Sequence, residues 1–279
     1  MSKNPRRNPR AEIAGKHRVG SAPAQVFQGG GKKTGRKVRR VQIEIHPDDD
    51  AVARKGAAVV AADLRAAVAA RGRFIMAVSG GHTPWSMLRA LAADELPWPQ
   101  VHVVQVDERV APAADPDRNL AHLRASLLDR APLPPDHIHA MPVEAADLDR
   151  AAEQYARTLR EVAGSPPVLD LVHLGLGPDG HTASLVPGDP VLDITDADVA
   201  ATGSYHGRRR MTLTFPTINR SRLVLWLVTG GEKAAVLVRL REGDRSIPAS
   251  RVRQDRSLVL ADRAAAEQLG NKEKLEAQE

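Results

Sequence analysis

Short apolar runs alternate with amphipathic stretches along the chain from Val41 onward. The first run, Val41 to Ile45, alternates apolar and polar residues as a half-buried strand does. Acids at positions 48–50 then suit a helix N-terminus, and an alanine-rich amphipathic stretch follows to about Ala70, just before Gly72. Further strands are predicted at 73–78, 101–106, 169–174, 209–214, 223–228 and 257–260, and further helices from Pro84 and at 119–130, 151–162 and about 232–240. This alternation predicts an α/β protein with a mostly parallel sheet covered on both faces.

Composition narrows the class of protein. The chain has 279 residues, of which 42% are hydrophobic but only 3% aromatic, so alanine, valine and leucine must build the core. There is no cysteine, which excludes both a disulfide framework and cysteine-ligated zinc. No apolar run approaches the roughly 20 residues that span a bilayer, and the basic N-terminus lacks the apolar segment of a secretory signal. We therefore expect a cytoplasmic location and no membrane contact.

The net charge of +6 is unevenly distributed. Residues 1–40 contain 12 lysines and arginines and one acid, Glu12, whereas the remainder contains 28 basic and 33 acidic residues. The basic segment has no apolar periodicity, and we interpret 1–40 as a disordered tail, either a solubilising leader or an over-extended gene start. A nonspecific polyanion-binding arm is the alternative, and apart from such contacts no nucleic-acid partner is expected. We assign 41–270 to one folded domain and 271–279 to a polar C-terminal tail.

Polar clusters follow four of the predicted strands, where parallel sheets bind ligands. In the first cluster, Ser79 to Pro84, Gly80 and Gly81 permit close backbone approach, and Ser79 and Thr83 add hydroxyl groups. The start of the following helix provides N–H groups and the positive end of its dipole, so the segment suits a phosphate group. An ordinary strand-to-helix turn is the competing interpretation. The cluster matches neither a Walker loop nor the dinucleotide fingerprint.

Two further clusters carry charges. Asp107-Glu108-Arg109 follows the strand 101–106; Arg109 suits a phosphate or sugar oxygen and Asp107 suits sugar hydroxyls, unless the segment faces solvent. Lys233 follows Thr229-Gly230-Gly231 and falls in the first turn of a predicted helix, where the dipole disfavours a cation. Such a lysine is favourable when it faces an anion; otherwise it is a solvated surface residue.

The most distinctive cluster is Gly175 to Leu185, with three glycines in its first six residues. Histidine is suited to general-base catalysis near neutral pH, so His181 is the candidate base and Asp179 its orienting partner or a substrate ligand. Two metal ligands or a structural turn remain alternatives, although no third metal ligand has helpful spacing. Taken together, the four clusters suit a phosphorylated small molecule attacked by an activated water.

At these residues the chain resembles the glucosamine-6-phosphate isomerase/6-phosphogluconolactonase family, from about Val41 to Arg263. The most specific match is Gly175 to Gly188, similar to the family's Gly-x-Gly-x-Asp-Gly-His-Thr-Ala-Ser-Leu-x-Pro-Gly signature. The other matching segments are Ser79 to Pro84, Asp107 to Arg109 with Asn119, Arg210 to Asn219, and Gly230 to Lys233. Two positions depart from the family pattern: His82, where a small hydroxyl residue is common, and Val186, where an aromatic is common.

The resemblance implies a three-layer α/β/α, modified Rossmann-like fold. It implies hydrolysis of a sugar-phosphate lactone in the oxidative pentose phosphate pathway, with His181 as general base and Asp179 in support. Substrate contacts are implied for the Ser79–Thr83 loop, including Gly80 and Gly81, and for Asp107, Arg109 and Lys233. No metal and no organic cofactor are expected. The sequence leaves the oligomeric state open, and a monomer is compatible with it.

Three alternatives stay open at this point. Glucosamine-6-phosphate deaminase shares the resemblance, but deaminases carry an acidic residue shortly after the histidine, and Thr182 to Gly188 contains no carboxylate. A sugar-phosphate-sensing regulator needs a DNA-binding module, and the basic tail has no apolar core for one. An inactive binding protein is disfavoured because His181 and Asp179 are both present.

Overall fold

Ten β-strands and six α-helices alternate along residues 41–270, the part of the chain that the computed structural model describes. The strands are β1 (Gln42–His46), β2 (Phe74–Val78), β3 (Val101–Gln105), β4 (Asp107–Arg109), β5 (Ile138–His139), β6 (Leu171–Leu174), β7 (Val199–Ala201), β8 (Arg210–Leu213), β9 (Leu223–Val228) and β10 (Ser257–Asp262). The helices are α1 (Asp49–Arg71), α2 (His82–Ala92), α3 (Asn119–Leu123), α4 (Leu148–Ala163), α5 (Phe215–Arg220) and α6 (Ala234–Glu242). The tails predicted at 1–40 and 271–279 lie outside the described residues.

Seven of the strands form one parallel sheet in the order β1-β10-β9-β6-β2-β3-β5. This confirms the prediction of a mostly parallel sheet. The strand predicted at 209–214 exists as β8, but it pairs antiparallel with β4 and β7 in a separate three-stranded sheet. The segment after β3 is therefore not a loop. Its residues Asp107–Arg109 form strand β4 of this second sheet.

Two hydrophobic cores lie on opposite faces of the parallel sheet and define three layers. Alternate strand residues point to opposite faces, so Phe74 and Met76 pack with helices α1 and α2, whereas Ile75 packs with α4. Trp226 of β9 is fully buried on the α4 face. Burial on both faces explains why these strands consist of continuous apolar residues. Within the described residues, no helix is long and apolar enough to cross a membrane.

The predicted ends of α1 are confirmed, and each has a local cause. The side chain of Asp48 accepts a hydrogen bond from the Ala51 N–H at 2.8 Å, which caps the N-terminus. Gly72 adopts the left-handed conformation with φ 73° and donates its N–H to the Val68 carbonyl. Such caps fix where the chain turns back toward β2, and hence where the loop after β2 begins.

The helix predicted at 119–130 takes a different form. It is α-helical only over α3 and continues as a π-helical turn over Arg124–Leu128. Within this turn three consecutive residues, Ser126, Leu127 and Leu128, are buried. The start at Asn119 is fixed by Glu108, whose fully buried carboxylate accepts the N–H groups of Asn119 and Leu120, both at 2.8 Å. Strand β4 and helix α3 are thereby joined beside the loop that follows β2.

Candidate active site

A pocket of about 360 Å³ lies at the carboxyl ends of the parallel strands. Strands β2 and β6 are neighbours in the sheet, but the chain proceeds from β2 toward β3 on one side and from β6 toward β9 on the other. Such a reversal of strand order opens a crevice in which α/β proteins bind ligands. The lining comes from residues 79–84, Asp107 and Arg109, Asn119, residues 175–178, His181, Ala183, Arg210, Leu227, Thr229, and Glu232 and Lys233. All four polar clusters predicted from the sequence therefore meet in one cavity.

The loop after β2 forms one wall of this pocket. The Ser79 N–H donates to Nδ1 of the buried His173 at 3.4 Å, and Thr83 Oγ1 lies 2.8 Å from Thr229 Oγ1 at the end of β9. Gly81 has φ 133°, a conformation that other residues rarely adopt, and helix α2 begins at His82 immediately after it. The loop and the first turn of α2 line the cavity together, which is the arrangement predicted for a phosphate site.

Arg109 is held at the pocket by a set of hydrogen bonds. Its guanidinium Nη1 donates to Asn119 Oδ1 at 2.9 Å and to the Asp117 carbonyl at 2.5 Å. Its Nε is buried and has no hydrogen-bond partner among residues 41–270. Gly80 makes room for this arrangement, since a β-carbon there would lie 2.1 Å from Asn119 Oδ1. The guanidinium is thus fixed in orientation at the wall of the pocket, where its charge suits an anion.

Asp107 lies at the pocket but is engaged within the protein. The residue is only 3% exposed, and its carboxylate accepts hydrogen bonds from Ser184 Oγ at 2.6 Å and Ser79 Oγ at 3.4 Å. Burial raises the pKa of Asp107, while the Ser184 hydrogen bond and the charges of Arg109 and Arg210 act in the opposite direction. The sequence expectation treated Asp107 as a group for sugar hydroxyls. Its observed contacts tie the loop after β2 to the segment that carries His181.

His181 and Asp179 form a pair in the turn after β6. Asp179 Oδ1 lies 2.6 Å from His181 Nδ1 and accepts the His181 backbone N–H at 3.1 Å. Because a carboxylate can only accept, Nδ1 carries the proton of this bond, and Nε2 is the nitrogen left with a free lone pair. Gly180 has φ 86°, which allows the tight turn between the two residues. His181 itself lines the pocket, whereas Asp179 lies behind it.

Local contacts shift the acidity of Asp179. Burial alone would raise its pKa, but hydrogen bonds from the His181 N–H and imidazole, the His181 charge and the Tyr205 hydroxyl together bring the pKa below its ordinary value. Asp179 is therefore an anion throughout the neutral range. An anionic partner on Nδ1 orients the ring and stabilises the imidazolium that forms when Nε2 accepts a proton.

Lys233 completes the charged lining. It lies in a short 3-10 turn, Gly231–Lys233, directly before helix α6 rather than within the helix as predicted. Its Nζ is 3.7 Å from a carboxylate oxygen of Glu232, which is largely exposed. Gly230 has φ 97°, and its N–H donates to the Asp262 carboxylate, so the turn is anchored to the end of β10. The anchored turn lets the lysine reach the same cavity as Arg109.

Arg210 and Tyr205 were not assigned roles from the sequence. Arg210 begins β8, lines the pocket, and has a buried Nε without a partner among residues 41–270. Burial lowers the pKa of Arg210, with the Asp107 charge acting against this shift and the Arg109 charge adding to it. Tyr205 donates its hydroxyl to Asp179 Oδ2 at 3.1 Å. The matching segment from Arg210 to Asn219 could have pointed to Arg210, whereas no sequence pattern pointed to Tyr205.

The two positions that depart from the family pattern occupy different environments. His82 is exposed at the rim of the pocket, in the first turn of α2, whereas Val186 is buried. Neither contacts the His181–Asp179 pair through a hydrogen bond. Among residues 41–270, no group of three or more histidine, aspartate or glutamate side chains is arranged to hold a metal ion.

The fold and the pocket define a Rossmann-like α/β protein with a crevice that is lined by cationic side chains and by the histidine of a histidine–aspartate pair. Residues 47–260 match the family model described as glucosamine-6-phosphate isomerases/6-phosphogluconolactonase. A Mycobacterium tuberculosis 6-phosphogluconolactonase is 41% identical over 242 residues, which cover 81% of this chain and 98% of the relative. The chain therefore belongs to the glucosamine-6-phosphate isomerase/6-phosphogluconolactonase family.

Solved structures agree with this fold. A 6-phosphogluconolactonase from Thermotoga maritima matches with a TM-score of 0.71 and 27% identity, covering 79% of this chain and 98% of the other. A monomeric glucosamine-6-phosphate deaminase matches with a TM-score of 0.70 and 20% identity, covering 81% of this chain and 99% of the other. Since both activities occur on similar folds, the fold alone does not distinguish between them. The side chains of the pocket must provide the distinction.

Proposed function

We propose that the protein hydrolyses 6-phospho-D-glucono-1,5-lactone to 6-phospho-D-gluconate, a reaction of the oxidative pentose phosphate pathway. One observation carries the proposal: the His181–Asp179 pair opens into the same cavity as Arg109, Lys233 and the loop after β2. A general base and an anion site within one cavity are what a phosphorylated lactone requires. Family membership and the lactonase named above support the choice of substrate.

Each end of the substrate has a proposed partner. The phosphate group binds to the N–H and hydroxyl groups of residues 79–83 and to Lys233, where helix α2 contributes the positive end of its dipole. Arg109 and Arg210 provide two further half-buried cations at the pocket for phosphate or sugar oxygens. Anchoring the phosphate holds the lactone carbonyl near His181 and so removes much of the entropic cost of the reaction.

The chemical step uses His181 as general base. Nε2 takes a proton from a water molecule while the water oxygen attacks C1 of the lactone, giving a tetrahedral intermediate. The intermediate then collapses, the bond between C1 and the ring oxygen breaks, and the proton returns from Nε2 to that oxygen. A positioned base contributes about 10²–10⁴-fold. Arg109 and the backbone N–H groups of the glycine-rich turns are the candidates for stabilising the oxyanion.

The proposal is tested with purified protein and freshly prepared lactone. Hydrolysis should exceed the spontaneous rate at all substrate concentrations, and the nonphosphorylated 1,5-lactone of gluconate should be a much poorer substrate because it lacks the anion. Glucosamine 6-phosphate should release no ammonia. Ammonia release without lactone hydrolysis would assign the protein to the deaminase branch of the family instead.

The location and assembly of the enzyme remain predictions. A cytoplasmic location follows from the sequence, and a monomer is compatible with it. Size-exclusion chromatography with light scattering measures the oligomeric state directly. The expected partner is the sugar-phosphate lactone itself, with no nucleic acid beyond nonspecific contact by residues 1–40.

A further inference from the structure

A tight hairpin joins β7 to β8 beside the His181–Asp179 pair. Its two turn residues, His206 and Gly207, both have positive φ values, 50° and 75°, which is the conformation of the two-residue hairpins that match the twist of paired strands. Tyr205 and Arg208 flank the turn and exchange backbone hydrogen bonds at 3.0 and 3.3 Å. The backbone position of Tyr205 is therefore set by the hairpin and not by a flexible loop.

The side chain of Tyr205 is held on several sides. Its hydroxyl donates to Asp179 Oδ2 at 3.1 Å and lies 3.5 Å from His181 Nδ1. The ring packs edge-on against the His181 imidazole with centroids 5.4 Å apart, and the His206 ring lies 4.1 Å away. The Arg210 guanidinium lies 5.1 Å from the ring centroid in a cation–π contact.

These contacts divide the two oxygens of Asp179 between two partners. Oδ1 accepts from the backbone and the imidazole of His181, and Oδ2 accepts from the Tyr205 hydroxyl. We infer that Tyr205 is a positioning residue that fixes the carboxylate of Asp179 and, through it, the ring of His181. The inference rests on the proposed function of His181. Among the described residues that line the pocket, His181 and Arg210 are present and Tyr205 is not, so the hydroxyl acts from behind the base.

The direction of the hydrogen bond follows from charge. Burial and the nearby Asp179 carboxylate raise the pKa of Tyr205, so the phenol keeps its proton over the working pH range. Asp179 is an anion and can only accept. The phenol thus holds the carboxylate in place and prevents it from rotating away from Nδ1.

Replacing Tyr205 by phenylalanine tests this role, because the ring contacts remain and only the hydroxyl is lost. We expect Tyr205→Phe to lower kcat by about 3- to 10-fold and to change KM by less than about two-fold. Without the phenol the carboxylate is free to rotate away from Nδ1 and stabilises the imidazolium less, so the acid limb of the kcat/KM profile should move to lower pH. Ser204→Ala is the matched control beside Tyr205: it removes a hydroxyl from an exposed residue outside the pocket lining, and both kinetics and pH profile should stay unchanged.

A double-mutant cycle tests whether Tyr205 acts through Asp179. In an Asp179→Asn background, adding Tyr205→Phe should cost little further activity, because the group it positions is already lost. An equal loss in both backgrounds would show that Tyr205 acts independently, and a loss confined to KM would show that it binds substrate. Either result overturns the inference, as would wild-type kinetics in Tyr205→Phe.

A measurement without substrate separates this inference from the proposed function. The His181 imidazole is titrated by NMR in the wild type, Tyr205→Phe and Asp179→Asn, with its signal assigned from His181→Ala. We expect its midpoint to fall in Tyr205→Phe and to fall further in Asp179→Asn. An unchanged midpoint in Tyr205→Phe contradicts the positioning role, whatever the substrate. Absence of lactone hydrolysis by the wild type contradicts the proposed function and leaves the titration interpretable. Should Tyr205→Phe fail to fold, an unchanged midpoint in Asp179→Asn contradicts the role of the carboxylate through which Tyr205 acts.

Discussion

The imidazole of His181 lies directly against the backbone of Gly177. A β-carbon at Gly177 would be 2.1 Å from His181 Nδ1 and 2.2 Å from Cε1, so no residue with a side chain fits there without moving the ring. The reason for glycine at this position is space, since Gly177 is not among the residues with positive φ. The glycine-rich turn after β6 thus serves to seat the histidine.

Gly177→Ala should therefore impair the chemical step. The added methyl group displaces the ring from Asp179, and we expect kcat to fall by at least about 10-fold, since small misplacements of a catalytic group are costly. Gly270→Ala is the control, because a β-carbon at Gly270 meets nothing within 4 Å and the residue lies outside the pocket lining. Steady-state kinetics of the two variants give the comparison. Equal effects of the two substitutions would contradict the steric account.

Lys233 should matter mainly for phosphate binding. Lys233→Gln removes one cation from the pocket, and charge-assisted contacts of this kind correspond to roughly a 10-fold or greater change in binding. We expect KM for the phosphorylated lactone to rise by about that factor. The preference over the nonphosphorylated lactone should shrink equally. Lys55→Gln is the surface control, since Lys55 pairs with Glu44 away from the pocket. A change in kcat alone would argue against this role.

Three histidines lie together at the β5 edge of the parallel sheet. The His102 and His137 rings stack with centroids 3.9 Å apart, and His102 Nδ1 lies 3.2 Å from His139 Nε2. Burial, the two neighbouring histidines and Arg73 lower the pKa of His102 to about 4, with Asp136 acting in the opposite direction. Burial and His137 also lower the pKa of His139.

This cluster predicts a loss of stability in mild acid. Above pH 6.5 the His102 ring is neutral in both states, whereas between about pH 6.5 and 4 only the unfolded chain binds the proton. The free energy of unfolding should thus decrease as the pH is lowered through this window. In His102→Gln, the drop in Tm between pH 8 and pH 5 should be smaller than in the wild type by about 2–4 °C. His46→Gln, at the opposite edge of the sheet, should keep the full drop. A drop in Tm in His102→Gln as large as that of the wild type would contradict the assignment.

The basic segment should be dispensable for catalysis. The family match begins at residue 47, and every group placed in the pocket lies beyond that point. A chain lacking residues 1–38 should retain the kcat/KM and Tm of the full chain, within about two-fold and 2 °C. A large loss of activity or Tm would show that the segment contributes to the folded domain.

Local patterns predicted the elements whose causes are local. The acids before α1 and Gly72 after it fixed that helix, and continuous apolar residues identified the buried strands. Because ligands bind at the carboxyl ends of parallel strands, the sequence was sufficient to predict that the loops after β2, β6 and β9 lie close together. Features that depend on contacts distant in sequence were missed. Three-residue strands such as β4 carry too short a pattern to identify, and their pairing with β8 arises from the tertiary fold.

The missed site residues have the same explanation. Tyr205 reaches Asp179 across 26 positions of sequence because a two-residue turn sets its register, and Arg210 reaches the pocket because β8 lies beside β4. Asp107, expected to meet the substrate, lines the pocket and also accepts a hydrogen bond from Ser184, 77 positions away, which the sequence did not predict. Single-residue contacts over such separations leave no periodic signal in the sequence.

The account depends on His181 removing a proton from water in a pocket that binds the phosphate. The most direct measurement is hydrolysis of 6-phospho-D-glucono-1,5-lactone above the spontaneous rate. The wild type and His181→Ala are compared at equal protein concentration, and an equal Tm of the two shows that the variant is folded. We predict a clear wild-type rate and a loss of at least about 100-fold in kcat for His181→Ala, with a smaller change in KM. Turnover by His181→Ala within a few-fold of the wild type would contradict the assignment of the base.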